Sequence, residues 1–352
     1  MADADRGPGP GAARDPAPGA APPARDGAAA PQRPAVAWSW PACALGVVYA
    51  LPAGVVSLHD PGRCMALAIG VLPAAVLGLP AARRTRLVIP VLGLAVGVSL
   101  LVGSALAHFT WVAVPGMFVL AVGAALLAAR RRLGILAMTL CLPLAGAGLS
   151  FGRVADALET AVLIFAGSLY ACLVCLAWPG RSGAPSPGGP SPLPPGDGRA
   201  ALDYGLRLGA AGATATAVGL AWAPTHPGWP VITALMVMRP RADMQRLRSI
   251  GRVGAVLAGV CATVALLYTA PPGWAYGVTA LVVTALTTAT QGSRWYILPA
   301  FPTVLILLLL LQSEPGQESG RVAERIGATV VGVALAYVFG RLLPSPLGRR
   351  PR

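Results

Sequence analysis

The sequence predicts an all-α polytopic membrane protein of about 12 transmembrane helices, arranged as two six-helix repeats in parallel orientation. Three observations carry this. Of 352 residues, 55% are apolar and 11% charged, against about a quarter charged in soluble domains, which excludes a water-soluble enzyme. Apolar runs of helical length follow one another with short breaks. The basic residues collect in alternate breaks.

Residues 1–34 hold Ala, Pro and Gly with four Arg and four Asp. They lack an apolar stretch that could serve as a signal peptide, and are expected to be a disordered cytoplasmic tail. The first membrane repeat is placed at 35–178, with apolar runs at roughly 41–58, 64–81, 87–107, 110–129, 133–150 and 154–178. Residues 179–200 are a linker of Pro, Gly and Ser that favours neither helix nor core. The second repeat, 201–343, carries runs at roughly 202–222, 227–238, 249–269, 274–290, 295–312 and 322–343, the second of them short for a relaxed span. Residues 344–352 form a basic tail.

Net charge is +14, and all 27 basic residues are Arg. With the N-terminus inside, four of them (Arg63, Arg153, Arg321, Arg325) fall on outer segments and 23 on inner ones. That is the positive-inside asymmetry, and it predicts an even number of spans with both termini cytoplasmic in the cell inner membrane. Trp111, Trp222, Trp229 and Trp274 fall at outer span ends, and Trp178 and Trp295 at inner ends, where indole rings anchor at headgroup level. The six cysteines lie in apolar runs and read as small packing residues, including Cys172 and Cys175 despite their redox-motif spacing.

The two halves share landmarks at nearly constant offset. Pro61-Gly62 recurs as Pro227-Gly228, Trp111 as Trp274, and Gly152-Arg153-Val154-Ala155 as Gly320-Arg321-Val322-Ala323. Six spans per copy give both copies the same orientation, which predicts a pseudo-two-fold along the membrane normal with a pathway at the interface.

Few charged residues enter the spans, and each that does is a functional candidate. Asp156 and Glu159 open span 6, and Glu324 and Arg325 take the same place in span 12. Asp156 and Glu324 each follow an arginine by three residues (Arg153, Arg321), a spacing that allows ion pairing on a helix. These acids read either as snorkelling pairs at an outer interface or as carboxylates that bind a proton. Arg239, Arg241, Arg246, Arg248 and Arg252 make a positive inner mouth that would concentrate an organic anion, or serve topology alone. Ala255 and Gly259, like Ala328 and Gly332, have the spacing that lets helices approach closely. His59, His108 and His226 fall in outer loops and read as exposed. No histidine has a second ligand at metal spacing, no Lys is present for a phosphate loop, and no cofactor or metal is expected.

From His226 the sequence reads His-Pro-Gly-Trp-Pro-Val-Ile-Thr-Ala-Leu-Met-Val-Met-Arg-Pro. An Arg-rich turn, the Arg252 run, Ser293-Arg294-Trp295-Tyr296 and the Glu324-Arg325-Ile-Gly run follow. This resembles the fusaric acid resistance protein-like family, also called integral membrane bound transporters and related to aromatic acid exporters. The resemblance covers about 201–343 well and the first half faintly. The pattern falls on His226, Trp229, Thr233, Pro240, Arg252, Gly259, Arg294, Tyr296, Glu324, Arg325 and Gly332. Two departures stand out: a glycine displaced to Gly254, and a short linker where many members carry a large soluble domain. The resemblance implies efflux of small aromatic carboxylates or drug-like amphiphiles driven by the proton gradient. Arg252, Arg248, Arg246, Trp229 and Thr233 would then attract or bind substrate, Glu324 with Asp156 or Glu159 would take up protons, and Arg321, Arg325 and Arg153 would pair with the acids. The expected partners are the lipid bilayer and a small organic anion or amphiphile, with no nucleic acid, and the short linker permits a homo-oligomer. The alternative is a membrane scaffold subunit that transports nothing and supports a partner protein.

Overall fold

Helices pack here through small residues, because side chains of helix-forming apolar segments gain little by meeting each other rather than lipid. In the computed structural model the described residues are 37–80, 82–130, 137–179, 198–223, 225–238, 242–269, 271–291, 293, 304–305, 308 and 318–343. All described helices belong to one unit, Pro34–Arg352. Among the described residues there is no strand.

The helices are α1 (Trp40–Val56), α2 (Pro61–Leu77), α3 (Val88–His108), α4 (Thr110–Arg130), α5 (Leu142–Gly148), α6 (Val154–Ala177), α7 (Gly198–Trp222), α8 (Gly228–Val237), α9 (Ala242–Tyr268), α10 (Gly273–Ala289) and α11 (Glu318–Tyr337). A single turn, Arg83–Arg86, precedes α3, and wider turns, Ala137–Cys141 and Val338–Leu342, precede α5 and extend α11. The predicted 295–312 run lies almost wholly outside the described residues. Among the described residues, five helical stretches are long and apolar enough to cross a bilayer: Arg83–His108, Thr110–Arg130, Val154–Ala177, Ser249–Leu266 and Ala323–Leu342.

Local chemistry explains where boundaries differ from expectation. α2 starts at Pro61 rather than at 64, because Asp60 accepts a hydrogen bond from the Arg63 N–H at 3.0 Å and Pro61 suits the first helical position. It ends at Gly78, whose φ of 74° is natural only for glycine. The Gln291 side chain fits against that glycine and donates to the Ala75 carbonyl. The Arg-rich segment expected to be a turn between the second and third runs of the second half is helical from Ala242 onward, since Ala, Met, Gln, Arg and Leu favour helix. Likewise α11 begins at Glu318, which sets Glu324 and Arg325 nearly two turns inside the helix instead of in its first turn.

The most extensive packing is α4 on α7 and α1 on α10, followed by α6 on α3 and α2; α8 packs on α11, α7 and α5. α2 and α6 meet where Gly70 lies on the Ile164 carbonyl and Gly167 on the Leu67 carbonyl, so a methyl at either would collide with backbone. Ser168 donates to the Gly70 carbonyl at 2.6 Å across the same seam. Leu305 and Leu308 pack with Ala53, Cys64, Met65, Ala68 and Leu72.

Aliphatic side chains such as Val91, Leu94, Val98, Val119, Leu158, Val162 and Leu173 point outward, as lipid-facing surface requires. Trp111, Trp222 and Trp274 are exposed at helix ends, as anchors should be, but Trp229 is 1% exposed and is no anchor. Cys172 and Cys175 are free and buried; the Tyr49 hydroxyl lies 2.7 Å from the Cys175 sulfur.

Candidate functional site

Helix α8 holds ten residues, about 15 Å at 1.5 Å per residue and half the hydrocarbon thickness of about 30 Å. Its brevity follows from Pro227 and Pro230 at one end and Met238, with extended backbone, at the other. Ser150 accepts from the Gly228 N–H at 3.1 Å, and Tyr204 donates to the Met238 carbonyl at 3.2 Å, so each end of this fragment is tied to a neighbouring segment. Nearly all of α8 is buried, against α5, α7 and α11.

This burial turns the start of α8 into a polar centre. The turn before it folds back, with the His226 N–H bonded to the Ala223 carbonyl at 3.1 Å and the Trp229 N–H bonded to the His226 carbonyl at 3.1 Å. His226 is therefore 5% exposed, not the exposed loop residue expected from sequence. Its ring lies flat on Trp229, centroids 4.2 Å apart at 12°. The Arg325 guanidinium sits over the same indole at 5.1 Å, a cation–π contact. His226 Nδ1 lies 3.4 Å from Glu324 Oε2, at the outer limit of a hydrogen bond. One turn further along α8, Thr233 faces Gly332 of α11. A methyl there would stand 2.6 Å from Thr233 Cβ and 2.7 Å from the Pro230 carbonyl oxygen. Ala328 joins Trp229 and Ile232 in the apolar floor.

Six positions that carry the family resemblance, His226, Trp229, Thr233, Glu324, Arg325 and Gly332, thus meet along one α8–α11 seam although about a hundred residues separate the two segments. Residues 213–347 match the fusaric acid resistance protein-like family. This part of the chain is similar to that family. The family is one of membrane transport proteins, and the likeness suggests that kind of function. No curated protein and no solved structure matches the chain.

Within the fusaric acid resistance protein-like segment, Pro240, Arg294 and Tyr296 lie outside the described residues, as do the side chains of Arg246, Arg248, Arg252 and Arg321. The first-half acids stand elsewhere. Asp156 is exposed in the first turn of α6, and Glu159 accepts from Arg63 of α2 at 2.8 Å, with both side chains more than half exposed. Arg63 also lies 3.3 Å from Asp60. Arg153 caps α6 with extended backbone, and among the described residues no ion pair joins it to Asp156.

Two constellations were not evident from sequence. Arg86, counted only toward membrane orientation, is 2% exposed; its Nε donates to the Pro80 carbonyl at 3.0 Å and its Nη1 to the carbonyls of Cys175 and of Trp178, the latter at 3.2 Å. It thereby closes the C-terminus of α6, where carbonyls lack helical partners. Asp203 and Arg207 pair at 2.7 Å on α7 with Asp203 8% exposed, and Arg207 Nη1 reaches the Gly340 carbonyl at 3.5 Å.

Proposed function

We propose that this protein is an inner-membrane exporter of small aromatic carboxylates or drug-like amphiphiles, driven by the proton gradient and with both termini in the cytoplasm. The observation that carries the reading is the buried polar seam between a half-length helix and α11. Short or Pro-interrupted helices at membrane depth are where transporters place their sites, because interrupted backbone is tolerated only beside a cavity or protein. Ionisable groups persist there only when they have work to do, given an insertion cost of about 2.5–3.5 kcal/mol each at the bilayer centre.

Glu324 and His226 form the proton-handling pair in this proposal. A carboxylate and an imidazole in contact hold one proton or two, and the second loosens the link between the α8 turn and α11. Arg325 keeps its charge throughout and stays on the Trp229 ring. Glu159 and Asp156 take a supporting part at most, since Glu159 is held by an arginine that cannot release its proton. Arg246, Arg248 and Arg252 would draw the anion toward the inner mouth.

We also propose the two-repeat architecture. Exchanging the halves exchanges α4 on α7 for α1 on α10, the two most extensive contacts, and turns α2 on α6 into α8 on α11, whereas the extensive contact of α3 with α6 has only a slight counterpart in α9 with α11. Contact of α5 with α8 likewise answers to contact of Leu305 and Leu308 with α2.

Efflux from proteoliposomes under an imposed pH gradient tests the function. The expected result is gradient-dependent efflux that Glu324→Gln and His226→Gln uncouple from the gradient. Transport indifferent both to the gradient and to Glu324→Gln would refute proton coupling.

A further inference from the structure

Three buried polar atoms on the two sides of the seam have no hydrogen-bond partner among the described residues: Trp229 Nε1, Thr233 Oγ1 and Glu324 Oε1. Leaving such groups unsatisfied costs about 1–3 kcal/mol each, and a fold that keeps three in one seam uses them for something. Trp229 and Thr233 stand one turn apart on the same face of α8, about 6 Å from each other. Glu324 approaches the Trp229 end through His226, and Thr233 lies deeper, against Gly332.

The atoms differ in what they accept. An indole N–H only donates, a carboxylate oxygen only accepts, and a hydroxyl does either. The Trp229 ring already carries His226 stacked on it and Arg325 over it, so its N–H edge, not its face, is left for a ligand. Arg325 beside Glu324 adds opposite charges at adjacent positions of one helix, which disfavours a bare anion or a bare cation over a group presenting both polarities.

We infer that the α8–α11 seam binds a small molecule through a group that both donates and accepts hydrogen bonds, such as a primary amide or an un-ionised carboxylic acid. Glu324 Oε1 takes the ligand's donor, while Trp229 Nε1 and the Thr233 hydroxyl meet its acceptor. The inference rests on the transport reading and deepens it by naming what the seam recognises. Gly332 packs directly on Thr233, so occupancy requires α8 and α11 to part, and binding and opening are one event.

Benzamide and acetophenone have nearly the same shape, but only the amide donates. Calorimetric titration of the full-length protein in lipid nanodiscs should give benzamide binding about tenfold tighter than acetophenone, the consequence of one lost hydrogen bond at a site built for it. Thr233→Val removes a hydroxyl at constant shape. It should weaken benzamide about fivefold while raising the thermal midpoint, because it deletes an unpaired buried group, and Thr233→Ser should restore binding. Equal affinity for the two probes, or Thr233→Val that stabilises without affecting benzamide, overturns the inference. If gradient-driven efflux persists while neither probe binds, the inference falls and the transport reading stands. If the probes are discriminated as expected but no gradient drives efflux, the transport reading falls alone.

Discussion

Replacing Gly332 by alanine measures how closely the proposed site is shut. The new methyl would stand 2.6 Å from Thr233 Cβ, 2.7 Å from the Pro230 carbonyl oxygen and 3.0 Å from the Ala234 nitrogen. Carbon pairs settle at about 3.5–4.0 Å, so α11 must withdraw from α8 by about 1 Å. Two of these three contacts are rigid backbone, and a rotamer change cannot relieve them. Overpacking of this kind costs about 1–3 kcal/mol, offset by a helix-propensity gain of about 0.5–1 kcal/mol for alanine over glycine. Gly123→Ala on α4 isolates the packing cost, because nothing lies within 4 Å of a methyl at that position. The propensity gain is common to both variants and cancels in their difference, leaving about 1–3 kcal/mol. Reversible unfolding of the purified protein in bicelles, followed by circular dichroism, gives that difference directly. The same withdrawal would stretch the His226–Glu324 contact, already at 3.4 Å, so Gly332→Ala should also weaken gradient-driven efflux. Equal stability of the two variants would refute the packing of α8 on α11 described above, and with it the geometry of the site.

Arg86→Met removes the buried donor to the Pro80, Cys175 and Trp178 carbonyls and should cost about 3–5 kcal/mol, judged from two or more charge-assisted hydrogen bonds; Arg86→Lys should recover less than half of it, since an ammonium lacks the guanidinium fork. The same unfolding assay checks both, and a loss under about 1 kcal/mol for the methionine variant would contradict the capping role. By contrast, a double-mutant cycle on Arg63 and Glu159, whose side chains are 58% and 53% exposed, should return a coupling energy of at most about 1 kcal/mol. Arg63→Gln with Glu159→Gln should leave gradient-driven efflux within about twofold of the parent; a larger loss would move the proton role to the first half.

Much of the architecture was legible because burial in lipid forces backbone groups to bond within their own helix, so apolar length alone reports a helix. Thus the runs at 87–107 and 154–178 reappear as α3 and α6 with ends shifted by a residue or so. Boundaries failed where a local feature outweighed hydropathy, as at Asp60 and Pro61 before α2 and in the helix-forming Arg-rich stretch that begins α9. The candidate site was half legible. Thr233, Trp229, Glu324 and Arg325 could be singled out, but pattern reading assigned Trp229 and His226 to an interface because both adjoin a Pro-Gly break. Whether such a break faces lipid headgroups or folds inward depends on what packs around it, and here α5, α7 and α11 enclose it. The one hint was length: a run of about 12 apolar residues is too short to cross and must be held by protein.

The proposed repeat gives the two ion pairs a common meaning. Arg63 opens α2 and bonds to Glu159 near the start of α6, and His226 precedes α8 and meets Glu324 near the start of the last helix. Each half therefore ties the beginning of its second helix to an acid on its sixth, with a Pro-Gly pair marking the turn in both. The chemistry of the bases differs in the property that matters for coupling. Arginine stays charged at every pH a cell provides, so the first tie is permanent, whereas an imidazole can take up and release a proton. The permanent tie is solvent-facing and screened; the other is buried, where a single proton has greater electrostatic effect. The two ties fall at different positions of the repeat, since Glu324 answers to Asp156 and Arg63 to Trp229; a fixed strut in one half and a releasable tie in the other would confine proton-driven motion to α8 and α11, the seam that also holds the Trp229, Thr233 and Glu324 atoms with no hydrogen-bond partner among the described residues. Proton and substrate would then compete for the same carboxylate, which couples their movements with no mechanical linkage between distant sites.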